Sequence, residues 1–111
     1  MSAVAKKSSG LPPLDEDGLL RDPKQWNETV AQLLADHHGV GALGTDHWQV
    51  ISTLRAHYAR FGAAPAMIQV CKLHGKDRHW VHGLFHTCLN AWRIAGLPNP
   101  GEEAKSYLSA N

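Results

Sequence analysis

Apolar residues recur at intervals of three and four along most of this chain, and the rhythm breaks only where glycine or proline interrupts it. The longest uninterrupted stretch runs from Gly44 to Gly62. Trp48, Ile51, Leu54, Tyr58 and Phe61 fall there on one helical face, while Gln49, Thr53, Ala56 and Arg60 point elsewhere. Thr45 is suited to accept a backbone N–H as the N-cap. Asp46 sets negative charge against the positive first turn, and Gly62 can close the far end in the left-handed conformation. Burying the apolar face is worth roughly 1.5–3 kcal/mol per large side chain, more than any cap supplies, so the other helices are expected to pack on it.

The same rhythm places the remaining elements. Met1 to Pro13 is rich in Ala, Ser, Gly and Lys with little to bury, and reads as a disordered arm. Leu14 to Leu20, with a turn at Asp17-Gly18, is either a short extended segment or a small β-hairpin. Asp22-Pro23 reads as an N-cap followed by the first helical residue, and Trp26, Val30, Leu33, Leu34 and His37 trace a helical stripe that Gly39 ends. Ala66, Met67, Val70, Cys71 and His74 make a third helix that Gly75 stops. From His79 to Ala95 the stripe through Trp80, Leu84, Cys88 and Trp92 is helical throughout. Gly83 weakens it and Thr87 is able to cap a new start, so one helix or two are both open. Gly96-Leu97-Pro98-Asn99-Pro100-Gly101 is a stop, after which Glu102 to Leu108 offers a turn or two of helix anchored by Tyr107 and Leu108. With no internal repeat and no central-strand pattern, the expected fold is all-α. It is a small orthogonal bundle of about five helices over residues 14–100, with the hairpin alternative at its N-terminal edge and a tail over 101–111.

At 111 residues the chain supports one domain with one modest core. No apolar run is long enough to span a membrane, and the lysines near the start precede no apolar segment, so the cytoplasm is the expected compartment. The net charge of +1 conceals an uneven distribution. From Leu11 to Asp46 seven acidic residues face only Arg21 and Lys24, whereas from His47 to Trp92 five bases face only Asp77. The second half is therefore a basic surface fit for an acidic protein or a phosphate backbone.

Candidate chemistry is sparse. Cys71 and Cys88 lie in helices without CxxC spacing, which suits buried thiols in a reducing compartment. His79, His82 and His86 fall on one helical side at a spacing that permits metal chelation, but no His-Glu-x-x-His or paired Cys-x-x-Cys element accompanies them. His37 and His38 suit a helix C-terminus. No Ser/His/Asp arrangement, glycine-rich phosphate loop or catalytic carboxylate pair is present in the pattern, and no cofactor or resident metal is expected.

Several of these segments, taken in order, resemble the DsrC/TusE family: Asp15-Glu16-Asp17-Gly18-Leu19-Leu20, Trp26, Thr45-Asp46-His47-Trp48-Gln49-Val50-Ile51, Leu54-Arg55, Tyr58, Ala64-Pro65-Ala66 and Arg93-Ile94-Ala95-Gly96-Leu97-Pro98-Asn99-Pro100. The resemblance implies a small cytoplasmic helical protein of sulfur metabolism. Members relay sulfur toward tRNA thiolation or serve as the substrate protein of a dissimilatory sulfite reductase, and the family has also been associated with gene regulation. Their chemistry sits on a flexible C-terminal arm with a cysteine next to last. Here Gly101 is followed by Glu102 and Glu103, and no cysteine occurs through Asn111. Trp92 stands where one branch of the family has its second cysteine, and the Phe85 to Trp92 segment is shorter than in the family and lacks its Pro-x-Gly-Pro break. A persulfide needs a thiolate that can attack and be attacked, which neither an indole nor a carboxylate replaces.

Three readings follow. The first is a cysteine-depleted, non-catalytic relative that docks on or regulates a sulfur-metabolism partner, sulfite-reductase-like or sulfur-transferring, through Arg55, Arg60, Lys72, Lys76, Arg78 and Arg93. The second is a sulfur carrier that uses Cys88, which requires that thiol to be exposed and its pKa lowered by Arg93 or a neighbouring histidine. The third is a helix-turn-helix-like DNA-binding regulator, with Gln69, Lys72 and Lys76 projecting from the third helix and its end.

Overall fold

The computed structural model describes residues 10–110, and its described residues form six α-helices and no strand. They are α1 (Glu28–His37), α2 (Thr45–Phe61), α3 (Met67–Leu73), α4 (Trp80–Phe85), α5 (Cys88–Ile94) and α6 (Glu102–Ala110), with a 3-10 turn at Pro23–Gln25 before them. None is long and apolar enough to cross a membrane. Most of the expected N-terminal arm, residues 1–9, lies outside the described residues, while Leu11 packs partly buried against the core.

The centre of the molecule is α5, not the longer α2 on which packing was expected to converge. It touches α1, α2, α4 and α6, and every residue in it except Arg93 is buried. The cause lies in its composition. Cys88-Leu89-Asn90-Ala91-Trp92-Arg93-Ile94 has one charged residue, and a helix that is apolar nearly all round is stable only when surrounded. From α2 the core receives Val50, Ile51 and Leu54, with Trp48 and Tyr58 half-buried beside them. Phe61, expected on the same face, is 62% exposed. It lies two turns beyond Leu54, past the reach of α5, and rests instead against His57 at 4.7 Å and under Arg60.

Local signals set most helix ends. Gly62 closes α2 at φ 66°, donating its N–H to the Tyr58 carbonyl, as expected. At the other end Gly44, not Thr45, is the N-cap, and Nδ1 of His47 accepts the Gly44 N–H at 3.0 Å. That leaves Nε2–H of His47 to donate to the Leu84 carbonyl at 3.0 Å, tying α2 to α4. The Asp22-Pro23 start governs only the 3-10 turn, in which the Asp22 carboxylate accepts the Lys24 N–H. Trp26 interrupts it because its indole is drawn to α5, and α1 begins afresh when the Asn27 side chain accepts the Val30 N–H at 2.8 Å.

The His79 to Ala95 stretch resolves into two helices. The chain turns at His86, the one non-glycine residue with positive φ among those described, and Thr87 caps α5 by accepting the Asn90 N–H. Asn90, buried inside α5, secures the break: its amide donates to the Phe85 carbonyl at 2.9 Å. At the N-terminal edge, Leu14 and Leu20 form a single antiparallel bridge across the Asp17-Gly18 turn, a hairpin reduced to its closing pair. The Asp15 carboxylate holds the turn by accepting the Asp17 and Leu19 N–H groups.

Candidate functional site

The family chemistry, if the chain carried it, would need a thiol, so the two cysteines come first. Cys71 on α3 and Cys88 at the start of α5 are both free and buried, at 1% and 3% exposure. Burial, and secondarily the neighbouring Cys71, push the Cys88 thiol up to about 11. The cation expected to draw it down is engaged elsewhere. Arg93 donates through Nε to the Asp17 carbonyl at 2.7 Å and through Nη1 to Oδ1 of Asn90 at 2.8 Å. A thiol raised in this way stays protonated at neutral pH, and at 3% exposure it is also out of a partner's reach.

The segment following Pro100 is fixed to the body. In α6, Lys105 reaches the Asp17 carboxylate at 2.8 Å and Glu102 at 2.8 Å, and these hydrogen bonds raise its pKa. Tyr107 donates its hydroxyl to the Pro65 carbonyl at 2.8 Å, and Leu108 is wholly buried in the core. The phenol's pKa is raised first by burial and then by Cys88. Trp92 fills the interior as a structural residue: it is fully buried, its indole N–H donates to the Pro98 carbonyl at 2.8 Å, and Tyr58 meets it edge-on.

The six basic residues divide into two groups. Arg55 and Arg93 serve the fold. The Arg55 guanidinium lies 3.9 Å from the centre of the Trp26 ring and donates to the Ala95 carbonyl at 2.7 Å, while the Trp26 indole N–H donates to the Ile94 carbonyl at 2.8 Å. Together they satisfy carbonyls at the C-terminal end of α5 that its own helix leaves open. Arg60, Lys72, Lys76 and Arg78 are exposed, and the ion pairs found among the described residues both belong to Lys105. Lys76 stands over the Trp80 ring at 5.7 Å, and Nε of Arg78 donates to the His79 ring at 3.3 Å.

The histidines are dispersed. His79 caps the start of α4, His82 lies within it and His86 sits in the left-handed turn after it. Among the described residues no three His, Cys, Asp or Glu side chains gather closely enough to hold a metal ion. His74 pairs with the Thr53 hydroxyl at 2.8 Å, and His38 with the Gly18 carbonyl at 3.2 Å. Trp26, Asn90 and the Asp17–Lys105 pair, none singled out for a site from the sequence, hold these elements together. The last two partners are 88 residues apart, beyond any local pattern.

The family model for DsrC-like proteins matches residues 8–102. A sulfurtransferase TusE of Escherichia coli O6:H1 is 32% identical over 95 residues, covering 78% of this chain and 86% of its own. Among solved structures, the oxidized gamma-subunit of the dissimilatory sulfite reductase (DsrC) from Archaeoglobus fulgidus superimposes with a TM-score of 0.72 at 32% identity, over 82% of this chain and 90% of that one. A chain from the structure of dissimilatory sulfite reductase I (DsrI) does so with a TM-score of 0.75 at 28% identity, over 90% and 98%. Sequence and fold agree, and the chain belongs to the DsrC-like family, the family of DsrC and TusE.

Proposed function

We propose that this chain docks on a sulfite-reductase-like or sulfur-transfer protein in the cytoplasm and regulates or scaffolds it, without itself carrying sulfur. The observation that carries this reading is the state of the thiols. Both cysteines are buried, Cys88 with its pKa near 11, and the segment where relatives would hold a mobile cysteine is a helix clamped by Lys105, Tyr107 and Leu108. A sulfur carrier must present its thiolate inside a partner's active site, and a thiol at 3% exposure does not.

The second reading is sulfur carriage by Cys88, and the names of the relatives favour it. TusE is called a sulfurtransferase, and DsrC is described as a subunit of a sulfite reductase. Carriage requires Cys88, 3% exposed here, to become accessible. Two measurements separate the readings: intact mass after incubation with glutathione persulfide, and quantitative pull-down from native cytosol with wild type and Cys88→Ala. Docking without carriage expects no added sulfur and equal recovery of sulfur-transfer partners by both proteins. An added sulfur atom that disappears in Cys88→Ala reverses the order. The DNA-reading alternative has no comparable support, since the relatives reported above are named for sulfur chemistry.

A further inference from the structure

Opposite its buried stripe, α2 forms the floor of a groove. Positions at intervals of three and four from Thr45 to Arg60 line two adjoining concavities of about 480 and 400 Å³, which meet at Ser52 and Thr53, and α3 contributes Leu73 and His74 as the far wall. At 1.5 Å per residue this floor is roughly 22 Å long. We propose that the groove receives an amphipathic helix of a partner protein, seated by an apolar ridge and held by acidic residues along its flank.

Floor and rim give the two halves of this assignment. Ser52 and Ala56 are small and exposed, so another helix can approach closely, with Trp48 toward the Thr45 end and Leu73 toward the Arg60 end; Leu73 is 70% exposed. Most of the surface lining the groove is apolar, and at its middle the Thr53 hydroxyl is already engaged, donating to the Gln49 carbonyl at 2.9 Å and pairing with the His74 ring. Apolar contact is therefore what the floor has to offer. Arg60 lines the groove and Lys72 and Lys76 adjoin Leu73 and His74 in sequence; all three are exposed with no ion pair to a described carboxylate, and they outnumber the neighbouring acids Asp46 and Asp77.

The groove gives the docking reading above its surface and rests on that reading. Its test titrates the isotope-labelled full chain with a synthetic peptide of ~18 residues, leucine along one face and glutamate along the flanks. Amide shifts are expected from Thr45 to Arg60 and at Leu73 and His74, but not on α1. Arg60→Glu and Leu73→Asp, both at exposed positions, should each weaken binding about fivefold or more. A peptide with the same leucine stripe and lysine flanks should not bind. Overturning results are no binding, equal binding of the lysine peptide, displacement by mixed-sequence duplex DNA at physiological salt, or the same shifts produced by raising the chain's own concentration. If the peptide binds but native cytosol yields no sulfur-transfer partner, the groove stands and the docking assignment falls. If such a partner is recovered equally by Arg60→Glu and Leu73→Asp, the groove falls and docking stands.

Discussion

Trp26 lies so close on Gly96 that a side chain added at position 96 would begin inside the indole ring. The glycine is required twice over, because its φ of 71° is also one that other residues rarely adopt. This contact locks the entry to α1 against the exit of α5.

Gly96→Ala is expected to destabilise the protein by about 3 kcal/mol or more, combining backbone strain with overpacking against a ring that cannot retreat. Guanidinium unfolding followed by tryptophan fluorescence checks it. A loss below about 1 kcal/mol would mean that Trp26 has somewhere else to go.

Arg55→Lys keeps the charge and discards both the stack on Trp26 and the planar donor aimed at Ala95. A loss of about 1–2 kcal/mol is expected in the same unfolding experiment, whereas Arg60→Lys, at the surface, should change stability by less than about 0.5 kcal/mol.

Leu108→Ala leaves a cavity where α6 enters the core, with an expected cost of about 2–4 kcal/mol. Lys105→Ala should act more locally. Amide exchange across Glu102–Ala110 is expected to quicken while the rest of the protein keeps its protection, and high salt should have the same effect on wild type. Unchanged exchange in both would remove the Asp17 contact from any role in holding α6.

Acid should weaken the fold through His38. Burial first, then Arg93, and lastly His37 hold its pKa below the ordinary 6.5, against the opposing pull of its bond to Gly18. The unfolded chain therefore takes up a proton at a higher pH than the native one, so this contribution is complete above pH 6.5 and is lost as pH falls through the lower native value. Stability measured by denaturant between neutral pH and pH 5 should fall less steeply in His38→Gln, whose amide can still donate to Gly18. An identical slope in the two proteins would rule His38 out.

What the sequence discloses is what its neighbours in sequence decide. Gly62 and Gly75 end their helices, and Thr87 starts one, through groups within a turn of themselves. What it withholds is decided across the fold. Trp26 carries a helical stripe, yet it sits in extended backbone because Ile94 accepts its indole N–H from 68 positions away. Arg55 and Arg93 share the composition of a docking surface, and only the carbonyls of Ala95 and Asp17 reveal that they face inward. For the site, the burial of Cys88 is visible in its apolar setting. The groove along α2 is not, because Leu73 looks like a core residue until α3 is placed.

The tie between Asp17 and Lys105 also sets an order of assembly. On the ribosome the turn that bears Asp17 emerges 88 residues before the lysine that neutralises it, and 76 before the arginine that braces its carbonyl. A nascent polypeptide whose Lys105 is still inside the ribosome thus lacks this tie, and the edge closes only once α6 has left the exit tunnel.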